Sequence, residues 1–66
     1  MTVLEKKLFE KAEFLFGARD GDVDDSELKL NFTKSEIGIL RDMKAIKPEF
    51  PSKWVWIWRW AKSQVE

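Results

Sequence analysis

All four tryptophans of this chain fall at every second position, Trp54, Trp56, Trp58 and Trp60, with Lys53, Arg59 and Lys62 beside or between them. Indole faces stack on planar rings, while Arg and Lys meet phosphate or carboxylate oxygens, so the chemistry offered is recognition. Lys44 and Lys47 lie a few residues upstream and add to the same positive charge.

Bond-making chemistry has far less to work with. The chain has no Cys and no His, which removes thiolate zinc sites, disulfides and the usual nucleophile and base pairs. Neither of the glycine-rich phosphate-binding patterns is present. The acidic stretch 17–27 contains Asp20-x-Asp22-x-Asp24, the opening spacing of an EF-hand calcium loop. Its sixth position is Asp25 where the sharp turn needs Gly, and its twelfth is Asn31 where a bidentate Glu is needed. The expectation is therefore a chain without catalytic activity, metal or cofactor.

Sixty-six residues make a single domain, 1–66, near the lower size limit for folding without metal or disulfides. Four Trp and five Phe supply the large apolar surfaces such a domain needs. Net charge is zero, with 12 basic and 12 acidic residues, but the charges are segregated. Residues 18–33 hold two basic and five acidic groups, and residues 34–63 hold seven basic and three acidic ones. A polarised field of this kind bears on partners more than the total does. No apolar run approaches the ~20 residues of a membrane span, and Glu5, Lys6 and Lys7 interrupt the first apolar segment. The expectation is no membrane association and a cytoplasmic location.

Two capping boxes punctuate the chain. Thr2-Val3-Leu4-Glu5 opens a helix over about 3–16, with Leu4, Leu8, Ala12 and Leu15 on one stripe and Gly17 as its terminator. Thr33-Lys34-Ser35-Glu36 opens a second over about 33–45, with Ile39, Leu40, Met43 and Ile46 on one face, ended by Pro48. Gly38 inside it costs about 1 kcal/mol relative to Ala and suggests close approach of another element. Residues 17–27 read as a flexible acidic loop. Leu28-Lys29-Leu30-Asn31-Phe32 alternates apolar and polar, as a half-buried strand or an extended connector does.

The tryptophan run admits two conformations. Val, Ile and Trp favour strands, but 28–32 is the only evident ladder partner, and a lone ribbon is marginal. Ser52 is a good N-cap, and two helices without a sheet favour a third as the packing solution. The expected fold is all-α, a small three-helix domain of helix-turn-helix type, with helices at about 3–16, 33–45 and 52–63. The alternative is an α+β form resembling a winged helix, with a ribbon pairing 28–31 and 54–60. In the helical form Trp54 and Trp58 enter the core, while Trp56 and Trp60 lie beside Arg59, partly in water. The run Val55-Trp56-Ile57-Trp58 resembles, over four residues, the core-anchoring run of the homeodomain recognition helix. Trp60, Ala61 and Lys62 stand where that family carries polar base readers, so family membership does not follow.

The expected function is that of a small accessory or regulatory protein that binds nucleic acid, of the sort encoded by phages and mobile elements. Its candidate contacts are Lys44, Lys47, Lys53, Trp56, Arg59, Trp60 and Lys62, the cations on phosphates and the indoles on bases. The alternative is a protein-interaction or homodimerisation module that buries Trp56 and Trp60.

Overall fold

A computed structural model of the chain describes residues 1–58. The elements are α1 (Val3–Ala18), β1 (Asp22–Asp24), α2 (Asp25–Asn31), α3 (Lys34–Asp42), β2 (Ile46–Glu49) and β3 (Lys53–Trp56). The strands form one antiparallel sheet in the order β1-β3-β2. The expected all-α fold is overturned: the domain is α+β, and the α+β alternative is closer.

The third helix, expected at 52–63, fails for a reason of pairing. Its segment 53–56 is the central strand, with Val23 opposite Trp54 on one side and Pro48 opposite Trp54 on the other. Both partners come from short stretches that resemble a loop and a turn in sequence. Bonded on both edges, the strand-forming Trp and Val side chains adopt the conformation they prefer locally. The part of that expected helix beyond residue 58 lies outside the described residues.

The expected ribbon of 28–31 with 54–60 is likewise absent among the described residues, because 25–31 is helical. Leu28 and Phe32, four apart, enter the core from this turn of chain, while Leu30 is left 87% exposed. Asp25 and Glu27 in the first turn suit the helix dipole. Lys29 pairs with Asp25 one turn back at 2.9 Å. The stretch 17–27 is thus largely structured, comprising the end of α1, β1 and the start of α2.

Both capping boxes form. Glu5 N–H donates to Thr2 Oγ1 at 3.1 Å and Glu36 N–H to Thr33 Oγ1 at 3.2 Å, with the reciprocal carboxylate bonds at 2.8 Å. α1 runs through Gly17 to Ala18, and the reversal is made instead by Asp20 (φ 56) and Gly21 (φ 94). α3 stops at Asp42, and Lys44 (φ 63) turns the chain so that Ala45 and Ile46 enter the core.

The core lies between α1, the α2–α3 pair and the inner face of the sheet. Phe16, Leu28, Leu40, Ile46 and Val23 are its largest fully buried side chains. Burial of each contributes about 1.5–3 kcal/mol. Trp54 and Trp56 pack on it from alternate positions of β3. The Trp56 ring lies 5.2 Å from Phe9 and 5.6 Å from Phe16, and Trp58 meets Phe9 edge-on at 4.8 Å.

Candidate functional site

Thr33 fixes where α3 begins, and the 3.6-residue repeat then sorts its side chains. Ile37 and Leu40 point into the core. Lys34, Gly38 and Arg41, spaced by four and three residues, share a stripe along one wall of a groove. The facing wall is α2, which contributes Asp25 and Lys29, and Trp54 of β3 is also exposed to the groove, whose volume is about 660 Å³.

The groove is built around one indole. Trp54 Nε1–H donates to Asp25 Oδ1 at 2.8 Å, and the Arg41 guanidinium carbon lies 5.9 Å from the centre of the Trp54 ring. An Arg over an indole face is attracted to the ring's quadrupole while its N–H groups stay available to a ligand. Asp25 Oδ2 meets Lys29 Nζ at 2.9 Å. Its carboxyl is held below the usual aspartate range, first by the Trp54 hydrogen bond and then by Lys29. The one carboxylate lining this groove is therefore engaged. Lys34 and Arg41 form no ion pair among the described residues.

A second concavity, about 480 Å³, lies under the β2–β3 hairpin and is also walled by Asp25 and Trp54. The hairpin tip and the α3 stripe thus flank the same two side chains. Asp25 N–H donates to Ser52 O at 2.9 Å, bracing the tip on α2. Phe50, at the tip, is 94% exposed.

The residues expected to bind are dispersed. Lys44 is exposed in the left-handed turn after α3. Lys47 and Lys53 alternate with inward residues and lie on the outer face of the sheet. There the register sets Lys53 between Asp24 and Glu49, and Lys47 in the row of Val55 and Asp22. Trp56, expected in part in water, is half-buried against Phe9 and Phe16 because the strand turns it inward with Trp54. Arg59, Trp60 and Lys62 lie outside the described residues.

Lys29, Lys34 and Arg41 are not among the residues expected from sequence to bind, and Gly38 enters there only as a point of close approach. The last three were accessible from the spacing 34, 38, 41, which is the complement of the apolar face once Thr33 is taken as the cap. Lys29 becomes accessible only when 25–31 is recognised as helix. No other element among the described residues comes within 4 Å of where a β-carbon on Gly38 would stand, so close approach within those residues does not explain it.

The Asp20, Asp22 and Asp24 series does not converge. Asp22 and Asp24 stand on the outer face of β1, and no group of three acidic side chains placed to hold a metal occurs among the described residues. No helix among those residues is long and apolar enough to cross a membrane. Compared with protein-family models, curated proteins and solved structures, the chain has no significant match.

Proposed function

We propose that this protein binds nucleic acid, and that the binding element is α3 with the groove it shares with α2 and Trp54. Topology alone does not assign a function. The observation that carries the reading is the stripe of Lys34, Gly38 and Arg41, two cations flanking a residue without a side chain, on the second helix of a pair joined only by Phe32 and Thr33. Lys29 adds a third cation across the groove.

The dimensions suit duplex DNA. Nine residues of α3 rise about 1.5 Å each, roughly 13 Å in all, against about 12 Å for the width of a B-form major groove. Lys34 and Arg41 would meet phosphates or base edges, and Gly38 would let the helix backbone approach closely between them. With zero net charge and three cations lining the groove, the affinity expected at physiological salt is in the range of about 10⁻⁴–10⁻⁶ M typical of phosphate-driven binding.

The test is a salt titration of the protein with a fluorescent duplex. Two phosphate contacts, from Lys34 and Arg41, predict a slope of log K against log[salt] of roughly −2, and Lys34→Ala and Arg41→Ala should each make it shallower by about one unit. An affinity indifferent to salt, or unchanged by both substitutions, would remove the reading.

A further inference from the structure

We infer that Phe50 is a wedge: resting on the nucleic-acid reading above, the β2–β3 hairpin inserts this ring between stacked base pairs and kinks the duplex while α3 holds it.

Phe50 is the most exposed large apolar side chain among the described residues, at 94%. A lone exposed apolar residue on a disordered strand would be unremarkable, but this one stands at the apex of a braced hairpin. The strands close at Glu49 opposite Lys53, leaving Phe50, Pro51 and Ser52 as the tip. Ser52 O accepts from Asp25 N–H, which fastens the tip to the first residue of α2. Pro48 and Pro51 restrict the backbone on both sides of the ring. A ring presented this way loses little conformational freedom on insertion.

The occupant follows from what adjoins the tip. The concavity beneath it shares Asp25 and Trp54 with the cationic groove of α3, so the tip and the α3 stripe border the same two side chains. Glu49 and Lys53, on either side of the tip, are cross-strand partners of opposite charge, so the tip itself offers phosphates no net charge. An apolar ring flanked by prolines on a charge-balanced hairpin suits the stacked interior of a base step. Apolar wedges of this kind unstack a step and bend the duplex by about 20–90°.

The experiment is energy transfer between dyes at the two ends of a short duplex, titrated with the wild type, Phe50→Ala and Phe50→Leu, with binding followed in parallel by anisotropy. The wild type and Phe50→Leu should shorten the end-to-end distance at saturation. Phe50→Ala should bind within about tenfold of the wild type and leave the duplex straight, with its circular dichroism and melting temperature unchanged because the ring is 94% exposed. Saturable binding in which the wild type leaves the duplex straight, or in which Phe50→Ala bends it equally, overturns the wedge and leaves the α3 interface standing. No saturable binding by the wild type overturns both.

Discussion

The indole Nε1–H of Trp54 donates to Asp25 Oδ1 at 2.8 Å, joining residues 29 apart in sequence. This bond ties the central strand to the first residue of α2, and with Asp25 N–H on Ser52 O it sets the hairpin against the helix pair. Folding lowers the Asp25 pKa, chiefly through this bond and next through Lys29, so the unfolded chain binds the proton more readily. The stabilisation is complete at neutral pH and is lost as pH falls below about 4, through the depressed folded value. Glu27, lowered by Arg19, and Glu5, lowered by Thr2, act in the same direction. Asp25→Asn should lower the melting temperature at pH 7 and reduce the loss of stability as pH falls below about 4. Equal acid sensitivity of the two proteins, read by Trp fluorescence, would remove Asp25 from this role.

Trp56 packs against the core in this arrangement, half-buried, with its ring within 6 Å of Phe9 and Phe16. Trp56→Ala should therefore destabilise the domain by about 3 kcal/mol in denaturant titration, the lower end for a truncated aromatic given that the ring is half-buried. A loss below about 1 kcal/mol would place Trp56 at the surface, as the helical reading of 52–63 required.

Gly38 separates stability from binding. Its missing β-carbon faces open space, so Gly38→Ala should stabilise α3 by about 1 kcal/mol through helix propensity. The same methyl group stands between Lys34 and Arg41 and should weaken DNA binding. A substitution that raises the melting temperature and leaves affinity untouched would show that the partner does not approach α3 here.

How far the fold could be read in advance depended on whether each signal was local. Thr2 with Glu5 and Thr33 with Glu36 announce their helices within four residues, and both boxes are present. The sheet is non-local, and each of its edge strands sends little apolar weight inward. β1 has one buried residue, Val23, between two aspartates, and β2 carries a proline, tolerated because it is an edge strand. Lacking visible partners, the strand preference of Trp54 to Trp56 was outweighed by the apparent need for a third helix. Leu28, Leu30 and Phe32 misled differently: alternation and a four-residue repeat both include 28 and 32, and only the exposure of Leu30 separates them. At the candidate site, Arg41 and Lys34 could be found from helix spacing, whereas their conjunction with Trp54 requires the β3 register.

The central claim, that α3 is the binding element, is tested most directly by amide chemical-shift mapping with a short DNA duplex at low salt. The expected perturbations are saturable and concentrated at Lys34, Ser35, Gly38 and Arg41, with a second group at 49–52 and little change along the outward face of α1 at Lys7, Glu10 and Phe14. Perturbations confined to α1 or to the outer sheet face around Lys47 and Lys53, or no saturable perturbation at all, would contradict it.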